Sequence, residues 1–322
     1  MSLPDRSSSW LVVVNPNAGK RKGEKDWDRI KELLIRKKLD FSESFTASRG
    51  HAVKLVKRGI EAGYRNIIAI GGDGTMNEVV NGCFRQKICP AHELRLAMIT
   101  IGTGNDWGRM FGIPLDYSEA IDVIRNGKTC LHDTGVVHYY NGTFRKKRYF
   151  INIAGLGFDA IVVRRTNLQK DRGRSGKAIY FWNLLRSLMM YKHTKTEIEI
   201  DGQHISDDVF TISLGIGKYS GGGMMQTPNA VHDDGLFDIT VIKKMRKGEI
   251  IRNLKLLYDG TILSHPKIEG YTGKEISITS DPIIHVEADG ESLGHSPIKF
   301  QILPRSIKVV YGNLPETKDY LT

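Results

Sequence analysis

Four short segments of this chain combine residue types suited to handling phosphate. Gly71-Gly72-Asp73-Gly74-Thr75-Met76-Asn77-Glu78 is the most informative of them. Glycines between a strand and a helix let backbone approach a ligand closely and aim unpaired N–H groups at phosphate oxygens. A carboxylate at that place repels phosphate unless a divalent cation intervenes, so Asp73 points to a metal-assisted site. The competing reading is a tight turn in which Asp73 caps the following helix. Asn15-Pro16-Asn17-Ala18-Gly19-Lys20 leads into Arg21, Lys22 and Lys25 and lacks Walker A spacing. Gly102-Thr103-Gly104-Asn105-Asp106 supplies a second acid, and Ala288-Asp289-Gly290-Glu291 a third acidic group far along the chain. Each of these also reads as a plain turn, the last as a type I′ hairpin turn with exposed acids.

The elements that must position these loops follow from hydrophobic periodicity. Leu11–Val14, Phe41–Thr46, Ile67–Ile70 and Leu96–Ile101 read as strands, separated by helical patterns through Ile30, Leu33 and Leu34, over Ala52–Ala62, and from Thr75 to about Asn81. Strands alternating with helices predict a parallel sheet with right-handed crossovers, whose ligands bind beyond the carboxyl ends of the strands. The first three loops fall there. After about Thr134 the pattern becomes β-rich: Lys195–Ile200, Val209–Ile216, Phe237–Ile242, Glu275–Thr279, Ile283–Ala288 and Ile307–Tyr311 read as strands. Asp201-Gly202 and Asp289-Gly290 read as hairpin turns, and helical insertions are expected near 159–192 and 247–264. The division expected is a domain over 1–134, to which 305–322 returns, and a β-rich domain over 135–304.

Composition narrows the function classes. The chain has 322 residues, 40% hydrophobic and 26% charged, which excludes a disordered or collagen-like chain. Its net charge of +11 favours anionic partners without choosing among nucleotides, nucleic acid and membrane surface. Cys83, Cys89 and Cys130 form no CxxC pair and the histidines no HExxH, so neither a zinc site nor a disulfide framework is expected. No apolar tract approaches the ~20 residues needed to span a bilayer. A cytoplasmic protein, at most peripheral to the inner face of a membrane, is the expectation; Met1-Ser2-Leu3 is set aside as a tag remnant.

Taken together, the four segments resemble the lipid kinases that share the diacylglycerol kinase catalytic domain, with sphingosine and ceramide kinases as more distant relatives. Gly-Gly-Asp-Gly-Thr alone also occurs in NAD kinases; its combination with Gly-Thr-x-Asn-Asp and a late Asp-Gly-Glu is specific to the lipid branch. The resemblance implies an open α/β nucleotide-binding domain, a β-rich sandwich-like domain and an active site in the cleft between them. It implies ATP as phosphoryl donor, bound by Asn15, Pro16, Asn17, Ala18, Gly19, Thr46, Gly72, Asp73, Gly74, Thr75, Met76, Asn77, Glu78 and Thr103. It further implies catalytic Mg2+ organised by Asp73, Asp106 and Asp289, with the acceptor of the lipid hydroxyl proton either Asp289 or Glu291. Val231, Asp234 and Leu236 match a structural magnesium site, for which a plain Asp-Gly turn is the alternative.

The implied reaction is γ-phosphate transfer to a lipid hydroxyl, first of all diacylglycerol to phosphatidic acid. Other lipid alcohols (a sphingoid base, ceramide, phosphatidylglycerol) and a catalytically silent regulator are the alternatives. A homodimer is left open, and no nucleic-acid signature accompanies the basic residues. Tyr180, Phe181, Leu184, Leu185, Leu188 and Met189 form a helical stripe preceded by Arg164, Arg165, Lys170, Arg172, Arg174 and Lys177. That segment reads either as a face toward an anionic membrane or as a helix covering the β-rich domain.

Overall fold

The computed structural model describes residues 6–102, 104–171 and 177–312. The chain divides into two compact units, one of residues 1–132 with 306–322 and one of residues 133–305. The first alternates β1 (Trp10–Val14), α1 (Ala18–Lys25), α2 (Trp27–Arg36), β2 (Phe41–Phe45), α3 (His51–Glu61), β3 (Asn66–Gly71), α4 (Asp73–Arg85), β4 (Arg95–Thr100), α5 (Asp106–Met110) and α6 (Tyr117–Asn126). β1 pairs in parallel with β2 and β3, and β3 with β4, in the order β2-β1-β3-β4. The end of the last strand adds in parallel at the far side of β4, Lys308 opposite Arg95. β1, β3 and β4 are buried along almost their whole length, which their near-continuous Val/Ile/Ala/Met runs require of a parallel sheet covered on both faces.

The second unit takes in most of β5 (Thr129–Asn141), then β6 (Phe144–Phe150), β7 (Ile153–Gly157), α7 (Phe158–Asp171), α8 (Lys177–Met190), β8 (Thr194–Ile200), β9 (Gln203–Gly215), β10 (Tyr219–Ser220), β11 (Met224–Met225), β12 (Phe237–Lys243), α9 (Lys247–Asn253), α10 (Lys255–Asp259), β13 (Ile268–Gly273), β14 (Glu275–Asp281), β15 (His285–Ala288) and β16 (Glu291–Val310). Its strands are antiparallel and close on themselves: β9-β7-β15-β16-β14-β8 and back to β9, with β12 and β13 extending from β9. β9 and β16 are long enough to serve different partners along their length. The closed ring encloses one core, in which Phe150 stacks on Phe237 at 5.8 Å and meets Phe300 edge-on at 6.1 Å. The Asp201-Gly202 hairpin turn joins β8 to β9, both residues at positive φ as a type I′ turn demands.

The helical insertion separates the two readings of the stripe. Leu188 is buried and, with Leu184, packs against Phe158, Val162 and Phe210, so this part of the stripe faces the core. The exposed apolar residues lie on another face of α8: Trp182 (71% exposed), Met189 (64%) and Met190 (61%), with Arg186 beside them. Arg172 and Arg174 lie outside the described residues, as do the side chains of Lys170, Lys177, Tyr180 and Phe181. No helix among the described residues is long and apolar enough to cross a membrane.

The Phe237 ring meets both other rings of the three-ring cluster and has no exposed surface. Phe237→Ala is therefore expected to lower the unfolding free energy by about 3–5 kcal/mol, read from urea unfolding followed by circular dichroism.

Candidate active site

The loops of the first unit are tied together at the carboxyl ends of its strands. Asn15, directly after β1, donates through Nδ2 to Thr75 Oγ1 at 2.9 Å, and its own Oδ1 accepts the Asn17 N–H at 3.1 Å. Gly19, Lys20 and Arg21 follow in the left-handed region, at φ 60°, 61° and 65°. Two successive non-glycine residues there carry strain of order 1–2 kcal/mol each, the kind of backbone distortion that clusters at ligand sites. Gly72 and Gly102 bring two loops into backbone contact: a Cβ on Gly102 would stand 2.9 Å from the Gly72 Cα. Glycine is required at 102, where a Cβ would also strike Asn105 Oδ1, and the fit at Gly72 is tight.

Asp73 begins α4 and binds the next loop. Its Oδ1 accepts the Trp107 N–H at 3.1 Å and its Oδ2 the Asp106 N–H at 3.3 Å, so it caps α5 from another element. Asp106 is itself buried. Both carboxylates converge on the space beside Gly104, where a Cβ would lie 2.9 Å from Asp106 Oδ2 and 3.3 Å from Asp73 Oδ2. Burial pushes the Asp73 carboxyl up, opposed by the N–H groups it accepts. A half-buried and a buried carboxylate side by side suit a hard, oxygen-preferring cation, which would offset that burial cost. Glu78 acts on a neighbouring loop instead. Its oxygens accept the N–H groups of Gly50 (2.6 Å) and Ala52 (3.1 Å), fixing the segment that opens α3 beside the buried Thr46. Met76 and Asn77 are buried in α4, and Thr103 lies outside the described residues.

In the second unit Asp289 and Gly290 form the expected hairpin turn between β15 and β16, both at positive φ. Asp289 is not the exposed acid of an ordinary turn: it is 7% exposed, and its carboxylate accepts the Asn152 N–H at 3.0 Å and the Ile151 N–H at 3.1 Å. Glu291, the first residue of β16, is half-buried. Asn167 of α7 donates to the Gly290 carbonyl at 3.0 Å, and the Gly290 N–H donates to Glu287 at 2.9 Å.

Glu287 and Asp159 had no motif to mark them. Glu287 lies opposite Gly155 in the β15–β7 ladder, and Asp159 opens α7 on the same side: a Gly155 Cβ would meet Glu287 Oε1 at 2.8 Å and Asp159 Cβ at 3.1 Å. Gln226 donates to Asp159 at 2.8 Å. Burial raises the Asp159 carboxyl to about 6 and pushes that of Glu287 well above the usual range, with Asp159 adding to the latter. An alternation of Glu287, Asp289 and Glu291 along β15 and β16 was the one available sequence signal.

Asp234 is exposed and accepts the Leu236 N–H at 2.9 Å, closing a local turn; Val231 is exposed as well. Asp133, which sequence reasoning passed over, organises this turn: buried, it accepts the N–H groups of Gly235 (2.7 Å) and Arg305 (2.6 Å). Among the described residues no group of three or more His, Cys, Asp or Glu is placed to share one ion.

Known proteins with the same two-unit pattern match nearly the whole chain. The profile of the diacylglycerol kinase catalytic domain matches residues 9–137, and that of the YegS C-terminal NAD kinase beta sandwich-like domain matches residues 152–311. A diacylglycerol kinase of Staphylococcus carnosus is 30% identical over 92% of this chain and 93% of its own. One of Staphylococcus aureus is 30% identical over 94% and 92%. A solved structure of a putative diacylglycerol kinase from Bacillus anthracis superposes with a TM-score of 0.75 at 26% identity, covering 95% of this chain and 98% of that one. Yeast NADH kinase, 12% identical with a TM-score of 0.52 over 95% of this chain and 84% of its own, shares the fold.

The Asp159 carboxyl gives a signed prediction. A folded-state value raised to about 6 means stability present below the unfolded value of about 3.9 and lost as pH rises through 6. Asp159→Asn is expected to melt a few degrees above wild type at pH 8, with the gap closing toward pH 4, as read by differential scanning calorimetry.

Proposed function

The chain belongs to the diacylglycerol kinase family of lipid kinases, and on that premise we propose that it transfers the γ-phosphate of ATP to the free hydroxyl of diacylglycerol, with Mg2+ as cofactor. The observation that carries this reading is the convergence of Asp73 and Asp106 beside Gly104, among glycine-bearing loops at the strand ends. Phosphoryl transfer asks mainly for positioning and charge neutralisation. The Asn15–Gly19 and Gly72–Thr75 backbones would hold the phosphates, with Asp73 and Asp106 holding the cation. Mg2+, when bound, neutralises charge on the phosphate oxygens. Val231, Asp234 and Leu236 would hold a second, structural magnesium.

The attacking hydroxyl must lose a proton as its oxygen bonds to the γ-phosphorus and the bond to the ADP oxygen breaks. We assign the acceptor role to Glu291. Both Asp289 oxygens accept backbone N–H groups, which fits a residue that holds the turn in shape, whereas Glu291 is the more exposed of the two. The phosphate loops belong to the first unit and this turn to the second.

The lipid is presented by a bilayer, and the Trp182–Arg186–Met189–Met190 face of α8 has the composition of an interfacial helix: an aromatic, two flexible apolar side chains and a cation. Trp10, Trp27 and Trp107 are buried, leaving Trp182 as the one exposed tryptophan of the four. Its emission is expected to shift to the blue on adding phosphatidylglycerol vesicles; an unchanged spectrum contradicts this contact.

The activity is tested by ATP-dependent transfer to diacylglycerol, a sphingoid base, ceramide and phosphatidylglycerol in anionic mixed micelles. Labelled phosphatidic acid is expected from wild type, reduced about 10²–10⁴-fold in kcat by Glu291→Gln. Label in another lipid replaces the acceptor, and no label in any lipid overturns the kinase reading.

A further inference from the structure

The β5–β6 hairpin of the second unit has no part in the phosphate chemistry. β6 carries Arg145, Lys146, Lys147 and Arg148 in succession and among the described residues pairs only with β5. The hairpin runs in register from Gly135 opposite Phe150 to Asn141 opposite Phe144. Arg145, Lys146 and Lys147 are exposed and Arg148 is half-buried. Strand alternation puts Arg145 and Lys147 on one face and Lys146 and Arg148 on the other, so the hairpin is cationic on both sides. Phe144 at its tip is 70% exposed, with the Lys146 ammonium 5.7 Å from its ring centre. His138, the cross-strand partner of Lys147, is held below the usual imidazole range by burial and then by Arg145, Lys147 and Lys299.

The hairpin also stands in a defined place. On its other side β5 pairs with β16, and a Cβ on Gly294 would strike the Tyr140 carbonyl and lie 2.8 Å from Tyr139 Cδ2. Gly294 is three residues beyond Glu291, so the outer end of the hairpin lies next to the strand that begins with the assigned proton acceptor. The turn itself is held by Asn167, which donates to the Gly290 carbonyl.

We propose that the β5–β6 hairpin is a docking element for the anionic surface of a lipid bilayer, holding that surface beside the turn that carries Glu291. The inference rests on the lipid-kinase reading for its purpose and on charge complementarity for its occupant. Charges on an edge strand commonly serve to block edge-to-edge aggregation. Such protection does not require a large exposed aromatic at the tip, whereas an aromatic among clustered basic residues is the composition that settles at a membrane interface.

The test is co-sedimentation with sucrose-loaded vesicles of phosphatidylcholine, alone or with 30% phosphatidylglycerol, comparing wild type with the Arg145→Gln, Lys146→Gln, Lys147→Gln, Arg148→Gln variant. Wild type is expected to bind only the anionic vesicles and to be released by 0.5 M salt. The variant is expected to bind about 30-fold more weakly, the equivalent of about 1 kcal/mol for each of two residues at the surface. ATP-dependent transfer to a dispersed short-chain diacylglycerol, which needs no surface, is expected to stay at the wild-type rate and shows that the variant is folded. Binding of anionic vesicles by wild type that ignores salt overturns the proposal even if the variant fails to fold. Equal vesicle binding by both proteins reduces the hairpin to edge protection, and preferential capture of duplex DNA or RNA over vesicles replaces the occupant; either overturns the proposal. Absence of lipid phosphorylation with hairpin-dependent vesicle binding intact would remove the kinase reading and leave the docking element standing.

Discussion

The first unit depends on one half-buried carboxylate that bonds across elements. Asp73 starts one helix and receives the N–H groups at the start of another, Asp106 and Trp107, so the loop after β3 and the loop after β4 cannot move apart without stranding those donors. The backbone contact of Gly72 with Gly102 and the bond from Asn15 to Thr75 extend the same constraint across three strand ends. What this arrangement costs is visible in Asp73 itself, whose burial works against its ionised form. A cation held with Asp106 would remove that cost and would couple the stability of the loops to occupation of the site.

The second unit solves a related problem with strands. Asp289 is fixed by the backbone at the entry to β7, and Gly290 is held through its N–H by Glu287 and through its carbonyl by Asn167. The turn is thereby rigid, and Glu291 emerges from it at the start of a strand whose remaining length is tied successively to β15 and β14. A base presented by such a turn loses little conformational freedom when a substrate arrives. Asp159 lies close enough to Glu287 to disfavour its charge, a strain tolerated in the interior of a unit with a large closed core.

Much of this was legible in the residues. The strands of the first unit follow from unbroken runs of Val, Ile and Ala, and their loops from glycines at strand ends; parallel sheets make both signals strong. The Asp201-Gly202 and Asp289-Gly290 turns were readable because Asp-Gly pairs suit a type I′ geometry. Less of the second unit was. β7, Ile-Ala-Gly-Leu-Gly, has no alternation because it is buried on both faces, and β16 was seen only at its end because its Gly, Pro and charged residues interrupt the pattern over a 20-residue strand. Between the two readings of the α8 stripe, sequence could not choose: Leu184 and Leu188 meet Phe158 and Phe210, contacts that depend on partners distant in sequence. Asp159, Glu287 and Asp133 matter through burial and neighbours brought together by folding, which no local spacing encodes.

Paired carboxylates that bring a divalent cation to the phosphates of a nucleotide are the centre of the proposed chemistry, and calorimetric titration of ATP tests them most directly. Wild type is expected to bind ATP with Mg2+ present and to lose about 10-fold or more in affinity when the metal is chelated, while Asp73→Asn, of the same shape, binds weakly in either condition. ATP binding that is equally tight with and without metal, and unchanged in the variant, would contradict it.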